Sequence, residues 1–217
     1  DVPTHVMVHA NHLHLSFGNS RQNSGVGTPF NWTALAGASE NLADGTITGM
    51  KRLAGDQSTG VAAITHESGT HLLYGLTEAD FRLGTFEDSA GAKPGTLQRL
   101  GQLFALDDRG VVATRAAQEF GNFASNTLTL NIRPWIQARR NLVTASLVNR
   151  EKNQYRLFFS DGNGLYITLA NNKMLGAGPV VFPDVVWCAC SGETPDGAET
   201  AFFGSDDGFV YRLEIGR

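Results

Sequence analysis

The chain has 217 residues, 41% of them hydrophobic, and a formal net charge of −4. That length suits one large domain or two small ones and allows a sizeable core. The mild acidity does not favour sequence-independent nucleic-acid binding through an extended basic face, and no apolar run approaches the roughly 20 residues that span a bilayer.

The first residues, DVPTHVMVHA, lack the basic start and long apolar segment of a signal peptide, and no initiator Met is present. The expectation is a processed chain or a piece of a longer protein. Twenty-five glycines imply many tight turns and so many short strands. The first predicted strand lies in HLHLSFGNSRQNSGV (12–26), with a turn at Gly18-Asn19-Ser20. His5, His9, His12 and His14 form the densest titratable cluster. His12 and His14 share one face of a strand, as a zinc pair would, but no Cys, Asp or Glu at ligand spacing completes a site. The expectation is a partly exposed edge strand, able to make an interface pH-sensitive.

Further along, VAAIT (61–65) reads as a strand and THLLYGLTEADFRL (70–83) as strand, turn and strand. QLFALDDRGVVAT (102–114) repeats that form around an Asp-rich turn at Gly110. NTLTLNIRPWIQARR (126–140) breaks the pattern. Leu128, Ile132, Trp135 and Ile136 recur at helical spacing, with an arginine-rich end that suits the helix dipole. Pro134 is expected to shorten or kink this helix. LVTASLV (142–148) and VVWCAC (185–190) are further strands, and the Gly/Pro/Ser-rich stretches 24–29, 89–95 and 192–197 read as surface loops.

Two phrases stand out, FFSDGNGLYITL (158–169) and FFGSDDGFVYRL (202–213). Each is an apolar strand, an Asp/Gly turn and a second β-branched or aromatic strand. With the weaker copies they make five candidate hairpins, turning near residues 19, 76, 109, 162 and 206. One strand precedes each hairpin. The prediction is therefore an all-β chain: a β-propeller-like array of about five short antiparallel blades in a single domain over 1–217, with one short helix near 126–140. No WD or kelch signature is present, and no linker long enough to divide domains.

Candidate chemistry is sparse. The turns SDGNG (160–164) and SDDG (205–208) invite a calcium reading, but calcium takes six to eight oxygens and neither turn has the alternating carboxylates of an EF-hand loop. They read as turn chemistry. There is no G-x-S-x-G elbow, no P-loop, and no G-x-G-x-x-G between a strand and a helix. Glu87, Asp88, Asp107, Asp108, Asp206 and Asp207 could supply a glycosidase-type pair from distant strands, but most lie in turns where Asp already serves the backbone. The reading is no enzyme, no cofactor and no metal. Cys188 and Cys190 share a strand face with geometry that suits a disulfide poorly, and read as two buried free thiols of a reducing compartment. The cluster Arg133, Arg139 and Arg140, followed by Arg150 and Lys152, is either a solvated helix end, a subunit contact or a positive patch facing DNA. Trp32, Trp135, Trp187, Tyr74 and Tyr155 are expected to pack between blades; exposed, they would suit a carbohydrate.

Three blocks together resemble structural proteins of tailed bacteriophages, of the tail-tube or packaged-DNA-stabilising nozzle kind: HLHLSFGNSRQNSGVGTPFNWTALAGASE (12–40), LQRLGQLFALDDRGVVATRAAQEFGNFASNTLTLNIRPWI (97–136), and REKNQYRLFFSDGNGLYITL (150–169) with FFGSDDGFVYRLE (202–214). The resemblance spans most of the chain. It implies a propeller-bearing subunit assembled in the host cytoplasm into a ring of identical copies in the virion tail. Its neighbours would be other tail or connector proteins, and its channel would retain and pass packaged DNA with at most non-specific contact. Family members are longer than this chain, and the matching motifs carry no catalytic residue.

Overall fold

The computed structural model describes residues 2–53, 61–115, 124–170 and 173–213. The described chain is mostly β-structure, ordered as small antiparallel sheets that follow one another in sequence. The first holds β1 (His5–His9), β2 (His12–Phe17), β3 (Ser20–Asn23) and β4 (Ser39–Leu42). The second holds β5 (Ile47–Arg52), β6 (Val61–His66), β7 (Thr70–Tyr74) and β8 (Arg82–Glu87). The third holds β9 (Gln98–Leu100), β10 (Gln102–Leu106), β11 (Val111–Arg115) and β12 (Ala124–Thr127). The fourth holds β13 (Val143–Asn149), β14 (Gln154–Phe159), β15 (Asn163–Ala170) and β16 (Lys173–Val181). The fifth holds β17 (Val186–Glu193), β18 (Glu199–Ser205) and β19 (Val210–Arg212). These five small antiparallel sheets, each an up-and-down run of three or four strands, are the blade-like units expected from the repeated phrase.

All five anticipated turns fall between paired strands, joining β2 to β3, β7 to β8, β10 to β11, β14 to β15 and β18 to β19. In the two strongest copies the turn glycines Gly162 and Gly208 have φ of +76° and +84°, a backbone state that L side chains rarely adopt. Three of the five sheets add a last strand that the hairpin pattern did not announce, β4, β12 and β16, and the second sheet adds a first strand, β5. Of these, β4 and β12 carry no continuous apolar run.

The described residues divide into two compact units. One consists of Asp1–Leu97 with Thr114–Ser125, the other of Gln98–Ala113 with Asn126–Arg217. In the first unit, Met7 of the first sheet packs with Ile47, Met50, Ala62, Ile64, Leu73 and Phe81 of the second. In the second unit, β14 is buried on both faces. Tyr155, Leu157 and Phe159 meet Phe104, Leu106 and Val111 of the third sheet. Phe158, on the opposite face, meets Val186, Ala201 and Phe203 of the fifth. A strand covered on both sides reads as an unbroken apolar run, which is why FF(158–159) stood out in sequence.

Several expectations are corrected. The expected short helix is present, but only as one turn, Arg133–Gln137, preceded by a 3₁₀ turn at Leu130–Ile132, while residues 126–127 belong to β12. Pro134 sits in the first turn, where its missing N–H costs nothing, so it starts the helix instead of interrupting it. The stretch 89–95 is not wholly a surface loop, since Ala90, Gly91 and Ala92 are buried. A Cβ on Gly91 would lie 2.1 Å from the His66 carbonyl oxygen, so the chain passes too close there for any side chain. Cys188 and Cys190 are exposed, not buried, because β17 is a sheet edge on which Val186 is the one buried residue. Among the described residues no helix is long and apolar enough to cross a membrane.

Candidate functional site

The acidic turns are structural. Asp107 is buried and accepts the backbone N–H groups of Arg109 at 2.7 Å and Gly110 at 3.0 Å, with the Arg109 guanidinium Nε at 2.9 Å. Asp161 accepts the N–H of Asn163 at 3.1 Å, and Asp207 accepts the N–H of Phe209 and the hydroxyl of Tyr211. Asp206 accepts the Ser205 hydroxyl and Glu87 that of Ser89. Each carboxylate thus serves its own turn. Among the described residues no group of three or more His, Cys, Asp or Glu side chains could hold a metal ion. Asp107→Ala is expected to lower stability by about 1–3 kcal/mol, because it removes the buried acceptor of the Arg109 and Gly110 N–H groups and the partner of the Arg109 guanidinium. Asp206→Ala, in an exposed turn, is expected to change it by less than about 0.5 kcal/mol. Chemical denaturation of both variants checks the contrast.

The arginines of the helix region turn inward to the same turns. Arg139 Nε lies 2.7 Å from Asp161 Oδ2, and its guanidinium stacks 4.4 Å from the Trp135 ring. Arg140 Nε is 3.6 Å from Asp108 Oδ1, and its Nη1 donates to the Asp108 carbonyl at 3.0 Å. These two side chains tie the helix to the third and fourth sheets, while Arg133 is exposed.

The histidine cluster is also a correction. His9, His12 and His14 are buried: β2, which carries His12 and His14, is paired on both sides, His9 lies on the edge strand β1, and Phe81 covers the three rings at 5.2–6.3 Å. Among them lies Arg21, fully buried, with its guanidinium 5.2 Å from the Phe81 ring. Arg21 donates to His14 Nδ1 at 2.8 Å, to Asn23 Oδ1 at 3.0 Å and to Asn41 Oδ1. His14 accepts at Nδ1, so its proton is on Nε2, which donates to the His9 carbonyl at 3.2 Å. The imidazole is thereby held neutral. Burial, then the neighbouring Arg21 charge, pushes His14 down to about 3, and burial pulls Arg21 down to about 10.

The surface feature that best suits recognition is the connection between β3 and β4. Residues 24–39, SGVGTPFNWTALAGAS, contain no charged side chain. Phe30 is 95% and Leu35 101% exposed, and Val26 and Trp32 join them on the surface. The loop is held by hydrogen bonds within it and to its neighbours. Gly25 N–H reaches the Asn31 carbonyl at 2.8 Å, Gly27 N–H reaches that of Asn11 at 2.8 Å, and Ala38 N–H reaches that of Thr33 at 3.2 Å. The Asn23 amide, part of the Arg21 network, anchors the far end through the Gly37 carbonyl at 3.0 Å. An uncharged loop that keeps two large apolar side chains in water has the composition of a contact surface. The sequence contained the signal, sixteen residues without charge, but the Gly/Pro content of 24–29 made it look like an ordinary connection. Of the five aromatics named from sequence, Tyr155 is core, Trp135 and Tyr74 are half-buried, and Trp32 and Trp187 are exposed.

No protein-family model and no curated protein matches the chain. In structure it is similar to Raptor from Chaetomium thermophilum, with a TM-score of 0.63, 14% identity, and coverage of 99% of this chain and 20% of that one. The chain therefore spans about one fifth of that protein's length. Likeness at this identity shows a shared fold and assigns no activity.

Proposed function

We propose that the chain is a structural component of a bacteriophage tail, of the nozzle or tail-tube kind, acting as a non-enzymatic interaction scaffold. Its copies assemble into a ring that retains and passes packaged DNA, and the ring contacts neighbouring tail or connector proteins. The observation that carries the scaffold reading is the ordered loop 24–39, with Phe30 and Leu35 held in water by a network of backbone hydrogen bonds. The tail assignment is drawn from the resemblance of residues 12–40, 97–136, 150–169 and 202–214. The mechanism is mechanical: rigid blades fix the loops, and loops from adjacent copies close a heterologous ring. Arg133, exposed at the helix start, is a candidate subunit contact. Arg139 and Arg140 would contribute through the turns they brace. Net acidity suits a channel that passes DNA without gripping it. Electron microscopy of phage particles labelled with an antibody to this chain is the test. Label on the tail is expected; label absent from the tail would sink the assignment.

A second reading, a carbohydrate-binding tail module, is favoured by the exposure of Trp32 and Trp187 at 38% and 53%. It requires glycan-array binding that disappears in Trp32→Ala.

A further inference from the structure

The sheet edges of this chain are not equivalent. A last strand with unpaired N–H and C=O groups is a template for another strand, and proteins blunt such edges by brevity, charge or proline. β4 has four residues and carries Glu40; β8 carries Arg82 and Glu87; β12 has four residues; β19 has three and carries Arg212. β16 is different. It is the longest described strand, nine residues, and from Met174 to Val181 it reads MLGAGPVV without a charge. Leu175 is 71% and Val181 77% exposed, and a Cβ added at Gly176 or Gly178 would meet nothing within 4 Å.

The ladder fixes which groups point outward. Pro179 lies opposite Leu165 and has no N–H to donate. Phe182 N–H, one residue past the strand, reaches the Gly162 carbonyl at 2.8 Å. By alternation, Gly178 and Val180 bond to β15, while Ala177, Pro179 and Val181 turn their backbone groups to the open side.

From this the geometry points to a two-fold contact between two copies of the chain, formed by antiparallel pairing of β16 with β16. The segment is self-complementary about Ala177. In that register Ala177 lies opposite its own copy and Gly176 opposite Gly178, and the regular ladder ends at the bulge at Leu175. Apolar side chains meet apolar side chains, the glycines leave room for close approach, and no charge opposes another. The two Ala177 residues exchange N–H···O=C bonds. Pro179 removes one donor per copy, which shortens the ladder and leaves the pairing specific to this register. An isologous contact of this kind is separate from a head-to-tail ring contact and does not depend on the tail assignment.

A single short ladder buries less than the roughly 1,200 Å² of a standard stable interface, so association is expected between about 10 µM and 1 mM. Sedimentation velocity of the whole chain across that range, with the double variant L175K/V181K alongside, is the test. The expected result is a monomer–dimer equilibrium in the native chain, lost in the variant, with exchange of the Ala177 amide slowing as the dimer forms. A native chain still monomeric at about 1 mM, a dimer undiminished in the variant, or an Ala177 amide whose exchange ignores dimer formation would each overturn the proposal.

Discussion

Between pH 7 and pH 4 the protein is expected to lose about 3 kcal/mol of stability through His14 alone. The unfolded chain binds a proton at His14 near the ordinary value of 6.5, whereas the folded state holds it down to about 3. Between those values the unfolded state carries more protons, so stability falls as the pH falls. Above about 6.5 the group contributes no pH dependence. Burial of the ring is the larger cause, and a proton on Nδ1 would in addition displace the Arg21 donor at 2.8 Å and set two cations side by side. The acceptors around Arg21 are neutral, His14, Asn23 and Asn41, and the Arg52 charge also lowers His9 after burial. His5 is lowered by burial as well, with Lys51 adding to it, so the same window gains further slope. Urea unfolding followed from pH 7 to pH 4 reads this directly. His14→Gln, which cannot take up the proton, is expected to flatten the profile. A native profile that is level across this range would contradict the neutral, buried imidazole.

Two phenylalanines give the other large contrast. Phe158→Ala is expected to cost about 3–5 kcal/mol. Its ring is fully buried where the fourth and fifth sheets meet, 5.5 Å from Phe182 and 6.4 Å from Tyr166. Removing it opens a cavity among rigid strands that cannot close around it. Phe30→Ala, which removes the same atoms from a site 95% exposed, is expected to change stability by less than about 0.5 kcal/mol. Equilibrium denaturation of the two variants tests the fold, and the Phe30 variant, still folded, is the reagent for testing recognition. If Phe30→Ala proved as damaging as Phe158→Ala, the loop would be part of the core and its role as a contact surface would fall.

The blades were legible because their signals are local. Asp-Gly turns specify hairpins by their own backbone demands, and β14 is so fully covered that its composition reads as core. The last strands of the sheets were less legible, since short segments such as Ser39–Leu42 carry no periodic pattern to detect. Burial of polar residues was harder still. His12, His14 and Arg21 look like surface residues in sequence; Phe81 covers them, from a residue some sixty positions away along the chain. Cys188 and Cys190 show the reverse. Their strand has a core-like composition but lies at an edge, and no sequence pattern distinguishes an uncovered edge from a covered one. The contact loop lay in plain sight as a stretch without charge. What the sequence could not show was that Phe30 and Leu35 stay in water while the backbone beneath them is held in place.

Cryo-electron microscopy of the intact tailed particle tests the proposed role most directly. The expected result is copies of this chain arranged in a ring about the tail axis, with Phe30 and Leu35 buried against a neighbouring subunit. A tail without the chain, or a ring in which the 24–39 loop still faces solvent, would contradict it.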